Sequence, residues 1–372
     1  MASSVCIFKI KHSLSEAVEK SIAAIGGLHL EGKTVLIKPN LVDPVSHTTG
    51  QITNPHLVEA VIKYCYREQA QRVIIGEGPS YYRSPERLID SFTKTGMKEV
   101  AERNEAEWVV FDDYPFRSYK DTSPFTPSRF SITEFAFECD KIINIPVMKT
   151  HIFTKVTLAM KNLKGCLKRE DKPRFHSNLA RAVVELNKII RPTLNIIDGT
   201  SLKSGSHLII TGKDIVAVDS IGSSLMGFNP SQIETVKFGF EAGLGEMDME
   251  QIEIMGADLK DLEMNFELPQ EEIKRSFPHL ELAIEQACCG CAVPIFSSLS
   301  RVKKKGGKLK RPLTIVAGKK NSLSAPKENF MLVGDCTKSL FPDAHLKGCP
   351  PNEDEITRVF REFIEYPSEI PS

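Results

Sequence analysis

The sequence predicts an α/β fold: a parallel, Rossmann-like sheet covered by helices, followed by a small cysteine-rich C-terminal segment. Strand-like and helix-like signals alternate from the N-terminus to Asn229, the pattern of a helix-covered parallel sheet. The strand-like runs are short, β-branched-rich and bounded by Gly, Pro, Asn or Asp, as strands buried on both faces are. Five of the nine cysteines fall in the last quarter of the 372 residues.

The strand candidates are residues 34–38 (TVLIK), 72–75 (RVII), 108–111 (WVVF), 141–145 (KIINI) and 194–198 (LNIID). Between them lie helix signatures. Ser13 and Glu16 have capping-box spacing ahead of residues 17–24. Asn54-Pro55 supplies a cap and a first-turn proline for a helix running to about Gln69. Asn178 opens an amphipathic stretch to Ile190, and Asn229-Pro230 another to about Glu241. Residues 257–270 are acidic and irregular and mark a boundary. The expected domains are therefore 1–260, with a further division into lobes 1–135 and 136–260 as an option, and 261–372. In the second, residues 271–288 read as a helix interrupted by Pro278 that delivers the cysteines. A basic stretch, 301–311, follows, then strand-like 313–317 and 330–333, and a last helix capped by Asn352. This tail looks too short and too dependent on its cysteines to stand alone, so docking on the α/β body is expected.

Composition excludes several classes. Hydrophobic residues make up 41% and charged residues 26%, as in globular proteins. Forty-eight basic residues balance 48 acidic ones, so net charge gives no reason to expect nucleic acid or a membrane surface as partner. No apolar run approaches the roughly 18 residues of a membrane span, and the start lacks a signal-peptide core. The expected location is cytoplasmic, where thiols stay reduced and a disulfide framework is not expected.

Cys6, Cys65 and Cys139 are scattered and read as small buried hydrophobes. Cys166 is scattered too. Cys288, Cys289, Cys291, Cys336 and Cys349 are clustered. Cys288-x-x-Cys291 puts two thiolates on one tight turn around Gly290. Cys336 stands in Gly-Asp-Cys after an apolar run, and Cys349 in Gly-Cys-Pro-Pro. Glycines before the cysteines let backbone amides approach cluster sulfurs, and the prolines stiffen the loop. Four thiolates match a [4Fe–4S] cluster, so the C-terminal piece is expected to be an iron–sulfur segment. Structural zinc also takes four thiolates, although zinc ribbons usually have two Cys-x-x-Cys knuckles and only one is present. Cys289 is the spare by parity, with substitution for Cys288 as its alternative, and inert thiols are a third reading.

The strand candidates end in polar motifs: Lys38-Pro39-Asn40, Gly76-Glu77-Gly78-Pro79-Ser80, Lys149-Thr150-His151 and Asp198-Gly199, with Lys161-Asn162, Lys164-Gly165 and His176 nearby in sequence. Ligands of open α/β sheets sit outside the carboxyl ends of strands, so these residues are expected to converge. Lys38, Lys149 and Lys161 would attract a carboxylate or phosphate, and His151 and His176 could supply protons. Each has a plainer reading: a solvated lysine, a packed histidine, a turn at Asp198-Gly199. The turn after the second strand lacks the spacing of a dinucleotide loop. Lys303-Lys304-Lys305 reads as a solvated turn, or as a docking point for an acidic, ferredoxin-like redox partner.

The segments IKPNL, TNPHLVEAVI, VIIGEGPS, INIPVMKTH, VTLAMKNLKG, IIDG and DIVAVDSIG, with His176, resemble the family catalogued as domain of unknown function 362, over residues 34–230. The resemblance implies an α/β fold, often with a C-terminal iron–sulfur segment, and it supplies no reaction. The closely spaced two-cluster ferredoxin pattern is missing, which implies one cluster. It carries over Lys38, Asn40, Lys149, His151, Lys161, Asn162, His176, Asp198 and Asp219 as site residues. Asp219 lies in an apolar helical stretch and needs a partner there, for which one of the lysines is the structural option. The favoured expectation is an oxidoreductase passing single electrons to an anionic small molecule. A non-redox lyase or dehydratase using the cluster as Lewis acid, and an electron-transfer or scaffold protein without a substrate, are the alternatives.

Overall fold

The computed structural model describes residues 3–81, 85–202, 207–262, 264–284, 287–318, 329–340 and 345–366. The chain divides into two compact units, Met1–Phe266 and Glu267–Ser372.

The first unit begins with β1 (Ser3–Lys9), α1 (Leu14–Ala24), β2 (Thr34–Pro39), α2 (Pro55–Arg67), β3 (Arg72–Glu77), α3 (Pro85–Lys94), α4 (Met97–Arg103) and β4 (Glu107–Val110). A hairpin of β5 (Phe116–Lys120) and β6 (Arg129–Thr133), a short α5 (Phe135–Glu138) and β7 (Lys141–Ile145) follow. Next come the small pair β8 (Lys149–His151) and β9 (Lys155–Thr157), α6 (Ala159–Asn162), α7 (Leu179–Ile189), β10 (Leu194–Gly199) and β11 (Leu208–Gly212). The unit ends with α8 (Ile215–Leu225), α9 (Glu234–Glu241) and β12 (Ile252–Gly256).

Eight strands form one sheet in the order β12-β1-β11-β10-β7-β2-β3-β4. It is parallel except for β11, which runs against both β1 and β10. All five expected strands are present, as β2, β3, β4, β7 and β10. β1, β11 and β12 complete the sheet beyond that expectation. Because β2 pairs with β7, residues on both sides of position 135 share this sheet, and the optional two-lobe division has no boundary there.

Strand alternation sends successive side chains to opposite faces, and both faces are covered. On one, Leu36, Ile74, Ile142, Ile197 and Ile210 pack with residues of α7, α8 and α9. On the other, Val35, Ile37, Val73, Ile75 and Ile143 pack with residues of α1, α2 and α4. Two-sided burial is why these strands read as unbroken apolar runs. Helix starts follow local chemistry: Ser13 Oγ accepts from Glu16 N at 3.1 Å, and Asn54 Oδ1 accepts from His56 N at 3.0 Å.

The second unit has its own sheet and core. It holds α10 (Pro269–Ser276), β13 (Leu280–Ala283), α11 (Cys289–Lys304), β14 (Lys308–Leu309), β15 (Leu313–Ala317), β16 (Phe330–Val333), β17 (His345–Leu346), α12 (Glu353–Arg361) and β18 (Ile364–Glu365). Strands β13, β15, β16 and β17 pair in that order, all parallel. Phe277 meets Phe360 edge-on, with ring centroids 5.9 Å apart, in a core with Ile295, Leu299 and Ile315.

The helix expected over 271–288 is corrected here. Pro278 disfavours helical geometry at the residue before it, so α10 stops at Ser276 and Phe277 turns to φ −132° and ψ 77°. The chain then makes β13, and Cys288 begins a new helix. Among the described residues no helix is long and apolar enough to cross a membrane.

Asn54 also donates through Nδ2 to Thr200 Oγ1 at 3.0 Å, tying the start of α2 to the end of β10. Asn54→Ala is expected to cost about 1–2 kcal/mol, read as a lowered urea midpoint with an unchanged denaturant slope.

Candidate functional site

The parallel strands β2, β3, β4, β7 and β10 end on one edge of the first unit's sheet. Chain order runs outward from β2 through β3 to β4, then outward on the other side through β7 to β10. That reversal between β2 and β7 marks the place where open α/β sheets bind ligands, and the polar motifs of the sequence meet there.

Lys38 and Glu77 form its floor. Lys38 is fully buried; its Nζ donates to Glu77 Oε2 at 2.7 Å and to the Pro39 carbonyl at 2.8 Å. Glu77 also accepts from Gly78 N through Oε1 and from Leu41 N through Oε2. A Cβ on Gly165 would fall on Glu77 Oε1 and come within 2.6 Å of Lys38 Nζ, so glycine lets this backbone seal the pair. Lys38 is thereby committed to the protein's own carboxylate and is not an open anion ligand.

A chain of amides runs beside this pair. Asn40 Nδ2 donates to Asn162 Oδ1, Asn162 Nδ2 to Asn144 Oδ1, and Asn144 Nδ2 to Asn195 Oδ1, at 2.8–3.0 Å. It links β2, α6, β7 and β10, and fixes which way each amide faces. Asn40 and Asn162 are thus held in one hydrogen-bonded chain beside the ion pair.

Lys149 stands at the open end of that chain, donating to Asn40 Oδ1 and to the Gln51 carbonyl, both at 2.7 Å. Protein crowds it on most sides, yet the residue keeps partial exposure. Burial, reinforced by Lys161, pulls its ammonium down to about 7. Burial and then Lys161, Lys164 and Lys149 hold His151 well below the usual histidine range. His151 Nδ1 accepts from Phe153 N and Thr154 N, so in the neutral ring the proton is on Nε2. His176 is lowered to about 3 by burial and Lys164. Its Nδ1 donates to the Pro173 carbonyl at 3.1 Å, which leaves Nε2 to accept from Lys164 Nζ at 2.9 Å. Both imidazoles are thereby held in the neutral form near pH 7.

The two aspartates are bound by backbone. Asp198 accepts from Asn54 N at 2.7 Å and Thr200 N at 2.8 Å, and burial raises it. Asp219 accepts from Ala159 N at 2.6 Å and Met160 N at 3.0 Å, and burial raises it to about 7. The partner expected for Asp219 among the lysines is instead the start of α6. Both aspartates hold the chain that carries the site.

Sequence reasoning missed Lys172. It is buried and lowered to about 8 by its burial, and its Nζ donates to the carbonyls of Pro79 at 2.8 Å and Gly165 at 3.2 Å. Its setting, Arg-Glu-Asp-Lys-Pro-Arg, reads as solvated surface and gives no signal of burial. Glu77 did leave one: opposite charges close two adjacent apolar strands. A separate groove of about 550 Å³ lies at the ends of β1 and β12, beyond β11. Its Lys9, Lys11 and Lys20 are offset by Glu16, Asp258 and Asp261, so it lacks the lysine excess.

In the second unit the four expected cysteine ligands follow the carboxyl ends of parallel strands. Cys288 follows β13 and is the N-cap of α11, its carbonyl accepting from Cys291 N at 3.1 Å and Ala292 N at 3.0 Å. Cys336 follows β16 and Cys349 follows β17. These last two loops are laced together: Gly334 N donates to the Leu346 carbonyl, Asp335 N to the Gly348 carbonyl, and Gly348 N to Asp335 Oδ1. Gly334 has φ +85°, and a Cβ there would lie 2.6 Å from Cys291 Sγ. The Cys291 thiol is held above its usual range, first by a hydrogen bond with Cys288, then by burial, with Cys336 and Cys349 also acting on it. Among the described residues no group of three or more His, Cys, Asp or Glu side chains is arranged to hold a metal ion as it stands; the thiols interact through hydrogen bonding and mutual electrostatics.

Residues 35–230 match the family described as Domain of unknown function (DUF362). The chain belongs to the DUF362 family. The matched span contains every lysine, histidine, asparagine and aspartate of the strand-edge site and ends before the clustered cysteines of the second unit. A relative, the thylakoid-associated protein sll1697 of Synechocystis sp. (strain ATCC 27184 / PCC 6803 / Kazusa), is 25% identical over 247 residues, covering 60% of this chain and 72% of that protein. Among solved structures, the lactate racemase apoprotein from Thermoanaerobacterium thermosaccharolyticum is similar at a TM-score of 0.41 and 14% identity, over 57% of this chain and 54% of that one.

The Lys38–Glu77 pair yields a direct test. Lys38→Met leaves a buried carboxylate uncompensated and is expected to cost about 3–5 kcal/mol. The double variant Lys38→Met with Glu77→Gln should recover more than half of that loss, in urea unfolding monitored by far-UV circular dichroism.

Proposed function

We propose that this DUF362 protein is an iron–sulfur oxidoreductase that binds a small anion at the strand edge of its first unit and reduces it in single-electron steps. The observation that carries the anion half is the convergence of Lys149, Lys161 and Lys164 on His151. These cations, acting together on His151 and Lys149, give this edge a positive character that favours an anionic ligand. Lys161 and Lys164 hold the anion. Lys149, balanced between its two protonation states near pH 7, keeps and releases the proton that a reduced, more negative product takes up. Neutral His151 orients the ligand as a hydrogen-bonding group, His176, with both ring nitrogens engaged, places Lys164, and Asn40 fixes Lys149.

The donor set of the second unit fits a [4Fe–4S] cluster: four thiols on three loops of one sheet edge, with a glycine where a side chain would strike Cys291. Cys288, Cys291, Cys336 and Cys349 would hold the group, and its contribution is single-electron chemistry. Cys289 is 93% buried on the first turn of α11 and stays outside the set. Structural zinc is the second reading, since the same four thiols suit it. An acidic, ferredoxin-like electron donor fits the Lys303–Lys305 end of α11, where Lys303 already pairs with Glu272 at 2.7 Å. A cytoplasmic location suits a chain in which, among the described residues, no disulfide joins the nine cysteines.

Anaerobic purification followed by iron, sulfide and zinc analysis tests the reading. The expected result is about four irons and four sulfides per chain, with a paramagnetic signal after dithionite. Serine at Cys288, Cys291, Cys336 or Cys349 should remove most of the iron, and Cys289→Ser should leave it in place. A colourless product carrying zinc would refute the redox role.

A further inference from the structure

Cys288 and Cys291 have a relation to each other beyond their place among four thiols. Cys288 is the N-cap of α11, a helix of 16 residues, and Cys291 stands three positions on. Cys291 N donates to the Cys288 carbonyl at 3.1 Å, and the two thiols are hydrogen-bonded to each other. Residues three apart on a helical turn have Cα atoms about 5 Å apart, inside the span of roughly 4.4–6.8 Å that a disulfide bridges. Cys289 offers no comparable partner. Adjacent Cα atoms lie about 3.8 Å apart, short of that span, and side chains two apart on a helix face different ways.

Exposure gives the two sulfurs different parts. Cys288 is half-buried, whereas Cys291 is 3% exposed, so a reagent from solvent reaches Cys288 first and Cys291 stands behind it. Pro294, inside α11, has no N–H to bond the Gly290 carbonyl, which leaves play in the turn that joins the thiols. One accessible thiol in contact with one sheltered thiol is the layout in which thiol–disulfide exchange runs to an internal disulfide.

We infer that in the cluster-free chain Cys288 and Cys291 are a dithiol–disulfide couple, oxidised by a small-molecule disulfide such as glutathione disulfide, and that closing it gates cluster loading. The gate rests on the iron–sulfur reading above; the couple is new to it. The Cys288 thiolate attacks one sulfur of glutathione disulfide, so that a Cys288–glutathione bond forms, the S–S bond breaks and one glutathione leaves. The Cys291 thiolate then attacks Cys288 Sγ, the protein disulfide forms and the second glutathione leaves. The cysteine pair gives up two electrons and two protons, and the departing glutathione thiols carry them away. A dithiol reductant reverses both steps. A cluster needs the thiolates of both residues, so the disulfide form withholds them.

The test uses the full-length chain, freed of metal by a chelator under dithiothreitol, with Cys289→Ala so that an internal disulfide has one assignment within its peptide. After anaerobic incubation with glutathione disulfide, remaining thiols are alkylated, peptides are mapped by mass spectrometry, and iron and sulfide uptake is measured in parallel. The expected result is a Cys288–Cys291 disulfide, cluster uptake at least about tenfold below that of the dithiol form, and recovery of both thiols and uptake with dithiothreitol. Cys291→Ser should leave glutathione fixed on Cys288. If the reduced chain takes up iron, but both thiols stay open to alkylation or pair with Cys336 or Cys349, the inference is overturned and the cluster reading stands. Equal uptake by the disulfide and dithiol forms overturns the gate. A disulfide in a chain whose reduced form takes up no iron overturns the cluster reading and leaves the couple standing. With neither disulfide nor iron, both fall.

Discussion

The strand edge of the first unit depends on the buried ion pair between Lys38 and Glu77. Two charges withdrawn from water are tolerated only where geometry and further hydrogen bonds compensate them. Here the Pro39 carbonyl completes the ammonium, and the amides of Leu41 and Gly78 complete the carboxylate. The same pair dictates its neighbours. Gly165 lies against it because a larger residue would strike it, and Asn162 reaches from the adjoining α6 to the Lys38 carbonyl at 3.2 Å. With the crossing segment fixed in this way, Lys161 and Lys164 have defined places at the edge.

The amide chain extends that order sideways. Each asparagine from Asn40 to Asn195 both donates and accepts, so rotating one would break two bonds at once. Its open end presents an oxygen to Lys149, which sets the lysine's position while neighbouring cations lower its proton affinity. Position and titration therefore have different origins, the first in hydrogen bonds and the second in burial and charge. Asp198 and Asp219 support the same frame from outside by holding backbone amides at the starts of α2 and α6. The second unit repeats the plan with thiols, placing Cys288, Cys336 and Cys349 after the ends of parallel strands.

Much of this was legible in the sequence because it depends on local pattern. Strands buried on both faces leave apolar runs, and β7 has the very bounds read from KIINI. Caps at Ser13, Asn54 and Asn352 stand where side-chain oxygens precede helices. What escaped depends on tertiary contact. Lys172 lies in a charged run that looks solvated until the fold carries it under Pro79. The helix expected over 271–288 has helical composition on both sides of Pro278, but the proline's demand on Phe277 outweighs it. Lys38 and Lys149 look alike as lysines near strand ends, and only the packing assigns one to Glu77 and leaves the other able to titrate.

Under the proposed function the lysine-rich strand edge takes up an anion. Anomalous diffraction from crystals soaked in selenate measures this most directly. The expected result is a selenium peak that places a selenate oxygen within hydrogen-bonding distance of Lys149 Nζ, beside Lys161, Lys164 and His151. Selenium peaks confined to the outer surface, with none at this edge, would contradict it.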